Sequence, residues 1–318
     1  MKSRKIPIHA YITLLTAVTA LSSIGPFLDR LDGVPAPLRI VWRQQGTALV
    51  LWPFALRSLV KDGPPKLSIA QWCTFLLASF SYCVLTVAFS MSVDYTTIND
   101  AAILTNSQSL LLVVAKLCMG SSVHHLESAG VLVAFGGAYL CSRDSSEAVD
   151  DGSEDHNPWM SLYGDSLALL SAIGGLGYIM LGKSLRNHVE VYVFMTLNMF
   201  VGSTLILTFM TLTGQTWTFD RHTDHGMLGW MNWSTDRIVV ELCVVFICNL
   251  MGTMGYVRAF KYFSSVIIAV AALLEPVTAT LIAIALGVGV FPGVLGCIGN
   301  VLVIVGTLAV IYPSAMEE

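Results

Sequence analysis

The stretch AALLEPVTATLIA, residues 271–283, sets Glu275 beside Pro276 inside an apolar run that extends from about Ser264 to about Val290. A charged side chain at the centre of a bilayer costs at least ~2.5 kcal/mol, so intramembrane carboxylates face a cavity or a partner rather than lipid. Proline has no N–H, so the carbonyl of Ala272 loses its helical partner and the helix is expected to bend. Thr278 and Thr280 can satisfy freed backbone groups, and Thr278 falls on the Glu275 side of the helix. Two readings stand: a proton-coupling or substrate-contacting carboxylate at a hinge, and a helix bend whose carboxylate is tied to neighbouring backbone.

Other polar residues recur at helical spacing inside apolar segments. Asn99, Asn106 and Ser109 share one face; so do Glu241, Val245, Asn249, Gly252 and Tyr256, and so do Ser79, Tyr82, Thr86 and Ser90. Small and polar residues also glue membrane helices together, yet three such stripes beside the helix of Glu275 favour a shared polar cavity. Arg39 and Arg43 lie four residues apart on one helix face. Arg39 can snorkel to the interface. Arg43, a turn deeper, either binds an anionic substrate group or pairs with an acid such as Asp165 or Glu241. The substrate pathway is therefore assigned to Glu275, Asn106, Asn249, Tyr256, Tyr82, Thr86 and Arg43, with Pro276 as the hinge.

Several chemistries find no support. Seven cysteines, at 73, 83, 118, 141, 243, 248 and 297, include no CxxC pair, so neither a metal site nor a disulfide framework is expected. Asp220, His222, Asp224 and His225 in DRHTDH have metal-ligand types but read as a solvated loop. HExxH does not occur, and GYIMLGKS at 177–184 matches the P-loop pattern by letter only, since it ends an apolar span instead of joining a strand to a helix. No enzymatic activity, metal or cofactor is expected. Basic residues are scattered singly, which excludes a nucleic-acid face. Asn232 opens the single glycosylation sequon, NWS.

The elements that must position these residues follow from composition. The 318-residue chain is 55% hydrophobic and 12% charged, against about 25% charged in an ordinary soluble domain, and its mean hydropathy is +0.70. A spanning helix needs about 20 apolar residues for a core of about 30 Å. Ten spans are expected, at roughly 6–28, 36–57, 69–91, 98–119, 125–142, 159–182, 190–212, 237–260, 264–290 and 293–313. The basic, then apolar, N-terminus resembles a signal peptide, but removing it would break the repeat described below. The acidic run SRDSSEAVDDGSEDHNP separates five spans from five, giving a first repeat of 1–141, a linker of 142–158 and a second repeat of 159–318. With a cytoplasmic N-terminus, eleven Lys and Arg fall on inner loops and four on outer ones, as the positive-inside rule requires for both termini in the cytoplasm.

The halves also match in sequence. LLTA at 14–17 recurs as LLSA at 169–172, AF at 88 recurs at 259, and GVLVAFGG from Gly130 parallels GNVLVIVG from Gly299. Two five-helix halves in one membrane must be inverted relative to each other, as in many secondary transporters. GDSLALLSAIGGLGYIML, YVRAFKYFSSVIIAVAALLEPVTATLIAIALG and GVLGCIGNVLVIVGTLAV resemble the EamA-type members of the drug/metabolite transporter superfamily. The likeness covers nearly the whole chain, and it implies an all-α, ten-helix inverted-repeat transporter. Two departures stand out: the fourth span carries LTNSQSLLL where the family usually has proline, and MGSSVHHLE replaces the usual Gly-Glu after it.

The expected function is secondary transport of a small polar metabolite through a central polar cavity by alternating access, coupled to protons or to a counter-substrate. A nucleotide-sugar or phosphate-sugar antiporter of the endomembrane system is the first alternative, and a cation channel is the second. Candidate partners are the lipid bilayer, the small-molecule substrate and, in a homodimer, a second copy. The sequence marks a multi-pass protein without naming its membrane.

Overall fold

The computed structural model describes residues 6–24, 27, 30–31, 33–96, 98–120, 124–149, 158–232, 237–275, 277–278, 281 and 293–316. These residues form helices: α1 (Ile8–Leu21), α2 (Ala36–Asp62), α3 (Ile69–Val93), α4 in two pieces (Ile98–Asn106 and Gln108–Cys118), α5 (His125–Val149), α6 (Pro158–Leu185) and α7 (Val191–Leu212). Next comes α8 in three pieces, Arg237–Cys243, a π-helical Val244–Thr253 and Met254–Ala259; α9 is Ser265–Ala271 continued by a 3-10 turn, Ala272–Leu274; α10 is Val294–Met316. Among the described residues the extended structure amounts to an isolated bridge, Thr218 to Gly226.

Six of these segments are long and apolar enough to cross a membrane: Ile69–Val93, Asp100–Cys118, Trp159–Leu185, Val191–Leu212, Arg237–Ala259 and Val294–Pro313. Ile8–Leu21, His125–Cys141 and Ser265–Leu274 are apolar but shorter. The 27-residue α2 has the length, but Arg39, Arg43, Gln44 and Gln45 make its first half too polar to stand with the six. The architecture is thus all-helical and fits a multi-pass membrane protein, with exposed Leu, Ile, Val and Phe side chains along the outer helix faces.

Local sequence explains where helices start and stop. Ser68 and Gln71 form a capping box at the start of α3, and the Glu190 carboxylate accepts from the backbone of Tyr192 and Val193 at the start of α7. Gly63 ends α2 at φ +77°, a left-handed conformation that glycine adopts without penalty. Near the α8–α9 turn, Lys183 donates to the Phe263 carbonyl and Arg186 to that of Val257, tying α6 to the turn. The backbone of α5 stays helical to Val149, beyond the span end expected at about 142, and residues 150–157 lie outside the described residues.

Glycines set the closest helix contacts. A Cβ on Gly137 would lie 2.6 Å from the Gly299 carbonyl, and one on Gly130 would lie 2.7 Å from that of Gly306. These are the glycines of the paired motifs GVLVAFGG and GNVLVIVG, and they seat α5 against α10. In α6, Gly174 lets the backbone approach Leu85 of α3, where a Cβ would come within 2.6 Å of its nitrogen.

Candidate functional site

Three helices lose regularity at the level where the polar residues gather. In α4 the break falls at Ser107, between Asn106 and Gln108. No proline is present. The Ser107 hydroxyl bonds the Leu104 carbonyl at 2.6 Å and the Ser109 hydroxyl bonds that of Asn106 at 2.9 Å, side-chain competition of the kind that bends helices. In α9 the turn tightens to 3-10 geometry just before Glu275, and the Glu275 N–H donates to the Ala272 carbonyl. That is the carbonyl expected to lose its partner, so it is satisfied one residue early. Pro276, the expected hinge, lies outside the described residues, as does Thr280. Thr278 serves a different carbonyl from the one expected: its hydroxyl donates to Glu275 O at 3.0 Å, and Ser22 at the end of α1 bonds both that oxygen and the Thr278 hydroxyl, at 3.2 and 2.5 Å.

The third irregularity is the π-helix in α8. Regular α-helical spacing puts Val245, Asn249, Gly252 and Tyr256 on one stripe with Glu241, and the wider π turn breaks that stripe. Asn249 and Thr253 now meet, 3.2 Å between Thr253 Oγ1 and Asn249 Oδ1, while Gly252 turns to Leu21 of α1 and Val245 packs on Gly46 of α2. A π turn inside an α-helix often marks a functional site. Here both ligands that α8 gives Arg43, Asn249 and Thr253, lie within it.

Arg43 is 4% exposed. Its Nε donates to Asn249 Oδ1 at 2.6 Å, and its Nη2 donates to Thr253 Oγ1 at 3.0 Å and, at a long 3.5 Å, to the Tyr82 hydroxyl. The Asn249 amide returns bonds to the Arg43 carbonyl and to Thr47 Oγ1, at 3.3 and 2.6 Å. Neither acid expected as a partner is one. Asp165 accepts from Thr96 at 2.9 Å. Glu241 is 1% exposed, and neither of its carboxylate oxygens has a hydrogen-bond partner. Arg39 does not reach the interface by snorkelling; it is buried, donating to Val34 O at 2.8 Å and pairing with Asp94 at 3.1 Å.

A cavity with a water-accessible volume of about 170 Å³ lies between α1, α2, α3, α4, α6, α8 and α9. Six of the seven residues assigned to the pathway line it: Arg43, Tyr82, Thr86, Asn106, Tyr256 and Glu275. Asn249 does not; it stands behind Arg43 and holds the guanidinium. The Asn106 amide and the Glu275 carboxylate interact across the cavity, between α4 and α9. Of the charged side chains, the lining includes one guanidinium and one carboxylate. Asn99 belongs to the first turn of α4, and Ser79 and Ser109, although fully buried, are not in the wall.

Sequence reasoning missed Gln108, Tyr178, Thr253 and Phe260, which also line the cavity. Tyr178 stacks at a tilt on Tyr82, 4.9 Å between centroids, and meets Phe260 edge-on at 6.1 Å. Its only signal was a lone aromatic at the end of SAIGGLGY. Gln108 fills the room left by the absent Cβ of Gly175. In the outer loop, Asp220 accepts from Thr218 and from the His222 backbone, bonds that hold its carboxyl below the usual carboxylate range, and Asp224 is held low by Arg237 at 3.1 Å. Both acids serve the loop itself. His222 and His225 stack at 3.7 Å.

No family model matches the chain, and no curated protein does at a significant level. A solved crystal structure is similar over 98% of this chain and 99% of its own, with a TM-score of 0.71 at 13% identity. That likeness shows the fold.

Proposed function

We propose that the chain is a secondary transporter of EamA type in the drug/metabolite transporter superfamily: ten spans in two inverted five-helix halves, carrying a small polar metabolite by alternating access. The observation that carries this reading is a cavity, lined by seven helices of an apolar bundle, that holds an arginine, a glutamate and hydrogen-bonding groups left without partners among the described residues. Polar groups buried without partners are expensive. A ligand that pairs with them offsets that cost. Supporting the two-fold arrangement, Gly130 and Gly137 of the first half align with Gly299 and Gly306 of the second, and the contact of Gly130 with Gly306 becomes, on exchanging halves, the contact of Gly299 with Gly137. Breaks in α4 and α9, the fourth helix of each half, give each half a discontinuous helix at the cavity, where inverted-repeat transporters bind.

A nucleotide-sugar antiporter is disfavoured, because a phosphate group wants more than one cation close by and Arg43 is the cationic side chain that lines this cavity. Purified protein is to be screened by thermal shift against metabolite classes, and hits assayed for counterflow in proteoliposomes. Saturable exchange of a hit, abolished or uncoupled from the proton gradient in Glu275→Gln, is the expected result. Unsaturable single-channel current would overturn the transporter reading in favour of a channel, and flux of unchanged pH dependence in Glu275→Gln would remove its coupling role.

A further inference from the structure

The guanidinium of Arg43 is a buried cation whose hydrogen-bond partners are all neutral oxygens. Nε and Nη2 are spent on them. Nη1 makes no hydrogen bond among the described residues and belongs to a side chain in the cavity wall. Beside it, Tyr178 is 5% exposed and its hydroxyl has no protein partner, although its ring lies against Tyr82, the residue that the Arg43 Nη2 reaches. A guanidinium N–H and a phenol O–H, both unused, thus belong to one cavity wall in a low-dielectric space, where charge-assisted bonds are about twice as strong as neutral ones. Elsewhere in the cavity wall the unused or charged groups are the Gln108 Oε1 and the Tyr256 hydroxyl, neither with a partner among the described residues, and the Glu275 carboxylate.

Resting on the transporter reading, and giving its substrate a chemical class, we propose that the cavity binds a small monocarboxylate, its carboxylate held by Arg43 and Tyr178. A donor group elsewhere on the ligand faces Gln108 and Glu275. A second anionic group is disfavoured because Glu275 repels it and, among the described residues, Arg43 is the one cation that lines the wall. Glu241 acts on Arg43 through space alone: it packs on Gly46, with Oε1 3.1 Å from where a Cβ would stand, feels the Arg43 charge and makes no hydrogen bond to it. Asn249, Thr253 and Tyr82 therefore orient the guanidinium without cancelling its charge. A phosphate dianion needs more positive charge than the site supplies.

The test is ligand binding to purified protein in detergent, with no gradient, using acetate and phenylacetate against their neutral isosteres acetamide and phenylacetamide at equal ionic strength. The acids are expected to raise the Tm about 2–4 °C above the amides at saturation, as linkage to the folded state requires. Arg43→Gln should erase the acid-minus-amide difference, and Tyr178→Phe should at least halve it without lowering the ligand-free Tm, because its buried hydroxyl has no protein partner among the described residues. Amides that stabilise the wild type as well as the acids do, or a full acid shift in Tyr178→Phe, would overturn the proposal. Should Arg43→Gln fail to fold, those two comparisons still decide it. Acid binding without counterflow in vesicles would sink transport alone; saturable counterflow of a compound lacking a carboxylate would sink this assignment and leave transport standing.

Discussion

The α5–α10 pair and the α2–α8 pair are both tight helix contacts, yet they are built on opposite principles. Between α5 and α10, glycines bring backbone onto backbone, and the faces turned outward are apolar. Between α2 and α8, Gly46 also allows close approach, but what fills the contact is Arg43, Asn249, Thr47, Thr253 and the unpartnered Glu241. One pair keeps regular α-geometry. The other holds a ten-residue π-helix. The contrast teaches that regular backbone goes with uniform van der Waals packing, whereas the helix that must present polar groups to a cavity gives up its regular hydrogen-bond ladder to aim them.

The largest effect that breaks this contrast is expected at the glycine seam. Gly137→Val places methyl groups where backbone atoms of Gly299 and Val303 already stand. It should cost about 3 kcal/mol, read as a lower Tm in detergent and loss of monodisperse protein; a Tm within 1 °C of wild type would show that the seam yields easily. Next comes Asn249→Ala, which strips Arg43 of its 2.6 Å partner and removes the bond that Thr47 accepts, leaving it the one it donates to the Arg43 carbonyl. A loss of about 2 kcal/mol is expected for an orphaned, charge-assisted hydrogen bond, together with impaired counterflow. Equal stability with lost flux would make Asn249 a functional residue alone. The smallest effect is expected for Thr278→Val, which removes the bridge to Ser22 and Glu275 O. It should cost about 1 kcal/mol, and a change in the relative rates of inward and outward flux, measured in oriented vesicles, would sharpen the role of the α1–α9 contact in movement.

Much of the cavity was legible because intramembrane polarity is rare. Glu275, Asn106, Tyr82, Thr86, Tyr256 and Arg43 stood out against apolar neighbours, and all line one space. Gln108 and Tyr178 were not legible, since a glutamine one residue from a helix break and a tyrosine after glycines carry no periodic signal. Asn249 was placed on the wall by α-helical spacing and is instead behind it, because the π turn changes the angle per residue. Arg39 read as a snorkelling residue until Asp94, 55 positions away, was found beside it.

The sequence by itself determined the membrane-type composition, the helical content, the matched glycines and the polar residues that cannot face lipid, because each of these follows from local chemistry or from spacing along one helix. Only the tertiary structure decided which of those residues share a cavity, that Arg43 meets neutral oxygens rather than an acid, and that Tyr178 and Gln108 keep unused hydrogen-bonding atoms beside it. The reason is physical: whether a buried polar group is satisfied depends on atoms delivered by other helices, and no spacing within one helix encodes where those atoms arrive.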